Sequence, residues 1–153
     1  MTTIYRVEMV ICPVTGSISR NNSIGPFNFA RYNLARQNGF EHVEWLTNID
    51  DQPEPDEDNL KNFFGQHFGF SSLQQFYNFF NCDIGRLVCA GFHLVEYDLP
   101  EEHINYGNSQ VSFPIYKAKI VNFHNIRDLV LRNHDELSSG YIKHLKKKKV
   151  EVE

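Results

Sequence analysis

The first strong pattern along the chain is an alternation of apolar and polar residues over positions 3–11, which predicts a half-buried β-strand. Pro13 and the polar sequence TGSISRNNS then indicate a loop. A helix follows over residues 27–38, because apolar residues recur there at helical spacing between a proline suited to the first turn and a glycine suited to the end. A short strand near Val43–Leu46 leads into an acidic, proline-broken stretch that cannot be a regular element. We expect this loop, Asp50–Asp58, to be the most exposed and mobile part of the domain.

A second helix begins at the serine pair of SSLQQFYNFF. Ser71 or Ser72 is a preferred N-cap, and a glutamine three residues later can act as its capping-box partner. A further helix over about Asp83–Ala90 ends at Gly91, and a last amphipathic helix covers Asn125–Leu137. The strands predicted between these helices are Phe92–Tyr97, INY, QVSF and Tyr116–Phe123. The residues expected to be largely buried are Leu73, Phe76, Phe80, Leu87, Val88, Phe92, Val111 and Phe113.

This order of elements predicts an α+β fold, with a mainly antiparallel sheet of about five strands and helices 27–38 and 72–90 packed on it. The length of 153 residues is that of one domain, and it is sufficient to bury a core without disulfides or metals. We expect a single α+β domain over residues 1–124, followed by a C-terminal helix and basic tail over residues 125–153.

Composition excludes several classes of protein. The net charge of −4 does not fit a general binder of the phosphate backbone, so we expect no nucleic-acid partner. The local exception is KHLKKKK, Lys143–Lys149, which we interpret as a solvated, frayed terminus, with a nucleic-acid contact as the alternative. Every segment long enough to span a bilayer is interrupted by charges, prolines or glycines, and Arg6 and Glu8 lie inside the first apolar run where a signal peptide would be uncharged. We therefore expect a cytoplasmic protein without a membrane partner.

The strong motifs of catalysis and metal binding are absent from the sequence. It contains no glycine-rich phosphate loop, no H-E-x-x-H, no C-x-x-C and no G-x-S-x-G. Cys12, Cys82 and Cys89 lie in apolar surroundings, which favours reduced, buried thiols over a disulfide framework. No two of the seven histidines are four residues apart, and the acidic loop lacks the calcium-binding spacing. We expect no metal site and no cofactor.

A polar pocket is the remaining candidate site. The helix that begins at Ser71 and Ser72 directs free N–H groups and the positive end of its dipole outward, which suits a phosphate or carboxylate, although the serines could also serve only as caps. Arg6 within a strand needs a partner, which is either Glu8, an acidic loop residue, or an anionic ligand held by its planar guanidinium. The candidate ligand-binding residues are Arg6, His67, Ser71, Ser72, Tyr97 and Gln110, and we assign no catalytic or metal-binding residue.

The order of six segments resembles a family of small, mostly uncharacterised proteins carried by tailed bacteriophages and prophages. The segments are YRVE (Tyr5–Glu8), GPF (Gly25–Phe27), QPEPDED (Gln52–Asp58), HFGFSSLQQFYNFF (His67–Phe80), AGFHLVEYDLPEE (Ala90–Glu102) and GNSQVSF (Gly107–Phe113). The resemblance spans about residues 4–123 and rests on their pattern. It departs at Met9, where such proteins often carry a histidine, and it has no counterpart for the chain beyond His124. The resemblance implies a phage accessory protein acting in the host cytoplasm.

A weaker resemblance is to the arginine–serine–glutamate order of ADP-ribosyltransferases. Arg6, then Ser71 or Ser72, then Gln110 occupy that order. The resemblance implies that the arginine holds a pyrophosphate, that the serine lies near the nicotinamide-side ribose, and that the third position should carry the catalytic carboxylate. Glutamine does not ionise and cannot stabilise an oxocarbenium-like charge as a carboxylate does. Such a site should bind better than it reacts.

Three hypotheses of function follow, from different classes of protein. The first is a non-catalytic phage protein that binds a nucleotide-like, ADP-ribose-like molecule or a host protein and so counters a host defence. The second is an ADP-ribosyltransferase or NAD-consuming enzyme that takes its acid from Glu96, Glu101 or Glu102. The third is a protein–protein adaptor with an aromatic interface and no ligand. Gln110 favours the first hypothesis over the second, and a homo-oligomer is left open.

Overall fold

The computed structural model describes residues 1–12, 17–18, 60, 66–89 and 91–152. The helix predicted over residues 27–38, the strand near Val43–Leu46 and the acidic loop Asp50–Asp58 lie outside these residues.

The described residues form an α+β fold, as predicted, with seven strands and four α-helices. The strands are β1 (Thr2–Cys12), β2 (Ser17–Ile18), β3 (His67–Gly69), β4 (Phe92–Leu99), β5 (Asn105–Tyr106), β6 (Val111–Phe113) and β7 (Lys119–His124). The helices are α1 (Leu73–Phe80), α2 (Ile84–Cys89), α3 (Ile126–Arg132) and α4 (His134–Val152). Short 3₁₀ turns lie at Asn81–Asp83, Glu101–His103 and Ile115–Lys117.

The strands form two antiparallel sheets, so the prediction of one sheet of about five strands is wrong. One sheet has the order β2-β1-β4-β7 and the other has the order β3-β6-β5. Among the described residues, the backbone link between the sheets is the pair Tyr5 and Phe70, which exchange hydrogen bonds of 2.8 and 2.7 Å. Phe70 directly follows β3, so β3 itself pairs with β6 and not with β1, and the described strands form two layers.

The four-stranded sheet lies between the other sheet and the helices. Alternation along β1 directs Ile4, Arg6 and Glu8 towards the three-stranded sheet, while Tyr5 and Val7 face the helices. The core between the two sheets consists of Ile4, Val95, Tyr97, Leu99, Ile104, Val111 and Phe113. The core under the helices consists of Val7, Phe70, Phe76, Phe80, Ile84, Leu87, Phe92, Leu94 and Ile126. The two charged residues of β1 therefore lie inside the protein.

The helical segment after β3 follows its sequence pattern closely. Ser72 is the N-cap of α1, and the predicted helical region 72–90 is divided by a 3₁₀ turn that begins at Asn81, whose φ of 28° is in the left-handed region that asparagine tolerates. The prediction of burial is confirmed for Phe76, Phe80, Leu87, Phe92, Val111 and Phe113. Leu73 and Val88 are only partly buried, at the margin of the core.

The C-terminal part of the chain differs from the prediction. The predicted helix Asn125–Leu137 is divided at Asn133, and the expected frayed tail is part of α4, which continues to Val152. This helix packs on α1, where Gln74 Nε2 donates to the Leu137 carbonyl oxygen at 3.0 Å. The contact with α1 stabilises the first half of α4, and the absence of glycine or proline after Gly140 allows the helix to continue.

Cys89 is exposed, so the expected burial of this thiol is wrong. The short helix α2 buries Ile84 and Leu87, and Cys89 lies on a different face from these two residues. The side chains of Cys12 and Cys82 lie outside the described residues.

Candidate functional site

Arg6 and Glu8 form an ion pair within the core between the sheets. They are two residues apart on β1, so they share a face, and Arg6 Nε donates to Glu8 Oε1 at 3.1 Å. Arg6 is 7% exposed and Glu8 is 0% exposed. Arg6 also donates through Nη1 to the Phe68 carbonyl oxygen at 2.8 Å, which links β1 to β3. The guanidinium therefore connects the two sheets.

Tyr97 completes this buried network from β4. Its hydroxyl lies 2.7 Å from Glu8 Oε1 and 2.8 Å from Glu8 Oε2, and it donates to the carboxylate. Burial lowers the pKa of Arg6, while the charge of Glu8 and the hydrogen bond to Glu8 act in the opposite direction. A buried charge is stable only when it is paired and hydrogen-bonded, and both conditions are met here. We call Arg6, Glu8 and Tyr97 the ionic triad.

His67 lies beside the ionic triad. It pairs with Phe113 across β3 and β6, and its Nδ1 is a buried atom without a hydrogen-bond partner among the described residues. Burial lowers the pKa of His67, the charge of Arg6 lowers it further, and Glu8 partly opposes these effects. His93, which is opposite Glu8 in the β1–β4 register, also has a buried Nδ1 without a partner. The interior thus contains two buried imidazole nitrogens next to a compensated ion pair.

The lowered pKa of His67 predicts a pH dependence of stability. An unfolded histidine has a pKa of about 6.5, so below that value the unfolded chain binds more protons than the folded one. Stability is therefore expected to fall as the pH decreases from about 6.5 through the lower pKa of folded His67. His67→Gln should make this pH dependence weaker, as measured by urea unfolding at neutral and at mildly acidic pH. His134→Gln, at an exposed histidine, is the control, and an identical pH dependence in both variants would contradict the prediction.

Ser71 and Ser72 are exposed and take part in capping α1. Ser72 Oγ accepts from the Gln75 backbone N–H at 3.0 Å, and Gln75 Oε1 accepts from the Ser71 backbone N–H at 2.8 Å. The serine hydroxyl and the glutamine side chain therefore act as the sequence predicted for a helix start. Their hydrogen bonds are local to this helix start.

Gln110 is buried at the beginning of β6. Its carbonyl oxygen accepts from the Gly107 N–H at 2.9 Å, which closes the turn before the strand. Val111 and Phe113 belong to the core between the sheets, whereas Ser112 Oγ donates to Gln66 Oε1 at 2.6 Å. Alternation along β6 therefore predicts that Gln110 lies on the side of Ser112.

The structure brings three of the six candidate residues together: Arg6, His67 and Tyr97. It adds Glu8, which forms the centre of the site and which the sequence indicated only as one of several partners for Arg6. The signal for Glu8 was its spacing, because two residues of opposite charge at positions i and i+2 of a strand share a face. Among the described residues, no group of three histidine, cysteine, aspartate or glutamate side chains is arranged to hold a metal ion.

The described elements define an antiparallel α+β protein with an ionic network between two sheets. Residues 1–127 match the family model described as Bacteriophage T4 Y00F protein. The match covers most of the chain, so the protein belongs to this family of bacteriophage proteins, and the predicted phage membership is confirmed. No curated protein and no solved structure matches the chain, and the weaker resemblance to ADP-ribosyltransferases is not supported. None of the described helices has the length and apolar character needed to cross a membrane.

Proposed function

We propose that this protein is a phage accessory protein that binds a host protein, and so counters a host defence, without catalysing a reaction. The observation that supports the proposal is that the residues of the ionic triad bind one another inside the core. Arg6, the residue best suited to hold an anionic substrate, is buried and its charge is compensated by Glu8, which in turn accepts from Tyr97. The charged groups of the site are therefore paired with each other inside the protein. This favours a protein that acts through its surface.

The positions of the other carboxylates also argue against an enzyme. Glu96 follows Val95, the neighbour of Arg6 in the β1–β4 register, so Glu96 lies on the opposite face of the sheet, where it forms an ion pair with His124 at 2.9 Å. Glu101 is exposed and accepts from the Tyr106 hydroxyl at 3.2 Å. Neither carboxylate faces Arg6 across the sheet, and Gln110 does not ionise.

The surface that fits a host protein is the β7 edge, which we define as Lys119–His124. β7 is the last strand of its sheet and pairs with β4 alone among the described strands. Its Val121 is 51% exposed and its Phe123 is 43% exposed. An edge strand with apolar side chains is a site for an added strand from another protein, in which main-chain hydrogen bonds supply affinity and side-chain contacts supply specificity.

Two local features of β7 prevent pairing with an arbitrary strand. Val121 is the extra residue of a bulge, since Asn122 pairs with Glu96 while Ile120 pairs with Tyr97. The side chain of Asn122 accepts from the Phe123 N–H at 2.8 Å and so occupies one backbone donor. A partner must match the bulge and compete with this hydrogen bond, which fits binding to one particular protein better than general aggregation.

The proposal is tested with the double variant Val121→Lys/Phe123→Lys. We expect affinity capture from host lysate, followed by quantitative mass spectrometry, to recover a host protein with the unmodified chain. The amount recovered with the variant should be at least about tenfold lower. The matched control is Tyr116→Lys/Leu131→Lys, which places two lysines at exposed apolar positions outside β7 and should retain the same protein. Equal retention by the β7 variant and the control would contradict the proposed surface.

A nucleotide-like ligand is the second candidate, and one observation favours it. His67 Nδ1 is buried without a hydrogen-bond partner next to Arg6, and a buried nitrogen of this kind can bind a ligand group. Mass spectrometry of small molecules released by heat from the purified protein distinguishes the two candidates. A released nucleotide would support this second candidate, and release of nicotinamide from added NAD would contradict the absence of catalysis.

A further inference from the structure

Helix α4 concentrates positive charge at the end of a chain that is otherwise acidic. The whole protein has a net charge of −4, yet Lys143–Lys149 contains five lysines among seven residues. No aspartate or glutamate occurs between Glu136 and Glu151. This segment lies beyond the residues that match the phage family model, which end at 127. Its charge is therefore a feature of the C-terminal helix and not of the family domain.

The first half of α4 packs on α1, and Lys143, Lys146 and Lys147 lie in its second half. Gln74 contacts α4 at Leu137, and the rings of Tyr77 and Tyr141 pack edge to face at 6.0 Å. Helical periodicity places Lys143 and Lys146 away from the face that contains Leu137 and Tyr141. Lys143, Lys146 and Lys147 are exposed, and among the described residues no carboxylate lies within ion-pair distance of them.

The spacing of these charges fits a polyphosphate. Seven helical residues extend about 10 Å at 1.5 Å per residue, and a duplex presents one phosphate charge per about 1.7 Å, or about six charges over the same length. A membrane surface would need an apolar face to insert, but the apolar residues Leu137 and Tyr141 are directed towards α1, and only Ile142 and Leu145 are exposed among the lysines. The arrangement thus favours a partner recognised by charge alone.

We infer that α4 binds the phosphate backbone of duplex nucleic acid without sequence preference. The overall charge of the protein does not exclude this, because the lysines are concentrated in one segment of α4, and charges further away than the Debye length of about 10 Å at 0.1 M salt are largely screened. In place of the frayed tail expected from the sequence, the lysines belong to a helix that continues to Val152. This inference does not depend on the proposed binding of a host protein, because the β7 edge and α4 are different segments of the chain.

The test measures binding of the full-length protein to a fluorescently labelled duplex DNA of about 20 base pairs by fluorescence anisotropy at several salt concentrations. The variant Lys143→Gln/Lys146→Gln/Lys147→Gln should bind at least about tenfold more weakly at low salt. Loss of three phosphate contacts should also reduce the slope of log K against log salt by about 2.7. A second duplex of scrambled sequence should bind equally well, because backbone contacts carry no sequence information.

The matched control is Lys117→Gln/Lys119→Gln/Arg127→Gln, which removes three exposed positive charges outside α4. It should retain the affinity and salt slope of the unmodified protein, and circular dichroism should show equal helix content in both triple variants. The inference is overturned if the unmodified protein does not bind the duplex at low salt, or if both triple variants weaken binding equally. Binding to vesicles of anionic phospholipid in preference to the duplex would also overturn it, in favour of a membrane surface.

Discussion

Replacement of Glu8 by alanine is expected to lower the free energy of unfolding by about 3–5 kcal/mol, because it leaves the buried guanidinium of Arg6 without its counter-charge. The Tyr97 hydroxyl loses its acceptor in the same step. A domain of this size is typically stable by about 5–15 kcal/mol, so this one change could remove a large fraction of the total. Urea unfolding followed by circular dichroism measures the effect directly.

Two further variants distinguish the loss of a partner from the loss of the network as a whole. Arg6→Leu/Glu8→Leu removes both charges together, and it should be less destabilising than Glu8→Ala because no unpaired charge remains buried. Tyr97→Phe removes one hydrogen bond to a charged group and should lower stability by about 1.5–3 kcal/mol. If Glu8→Ala changed stability by less than about 1 kcal/mol, the ion pair would not be the closed network on which the proposed function depends.

The sequence contained enough information to name three of the four residues of this site, Arg6, His67 and Tyr97, and to suggest Glu8 as one possible partner of Arg6. Alternation along β1 placed Arg6 and Glu8 on one face, and the need of a buried arginine for a partner made Glu8 a candidate. What a sequence cannot show is the choice between that partner and an external anion, because the choice depends on how deeply the strand is covered. The cover comes from β3 and β6, whose contact with β1 joins residues about 60 to 110 positions apart.

The same holds for the fold: features set by the local sequence were predicted, and features set by contacts between distant residues were not. The cap at Ser72, the apolar face of α1 and the strands of the second half follow from local propensity and periodicity, and these elements were predicted. The division into two sheets was not predicted, because it depends on pairing between residues distant in the sequence, such as β3 with β6 and Tyr5 with Phe70. The continuation of α4 through its lysines was also not predicted, since the packing of Tyr77 against Tyr141 stabilises a helix that its charge alone would weaken.

Gly69 lies where the chain of β3 approaches β1, and the space there leaves no room for a side chain. A Cβ atom at this position would lie 2.6 Å from the Tyr5 carbonyl oxygen, 2.9 Å from Ile4 Cγ2 and 3.2 Å from Phe113 Cε1. Real Cβ atoms do not approach a backbone oxygen so closely, so β1 and β3 would have to move apart. We expect Gly69→Ala to lower the free energy of unfolding by about 3 kcal/mol, at the upper end of the range for overpacked cores.

Gly85→Ala provides the matched control, since the same methyl group is added at a helical glycine of α2, where it would meet no described atom within 4 Å apart from those of its chain neighbours and its own helix backbone. Alanine has the higher helix propensity and reduces the conformational entropy of the unfolded chain, so this variant should be more stable by about 0.5–1 kcal/mol. Urea unfolding of both variants should therefore give changes of opposite sign. Equal changes in stability would mean that the structure accommodates the added methyl group at Gly69. The close approach of β3 to β1 would then not be required for the stability of the two sheets.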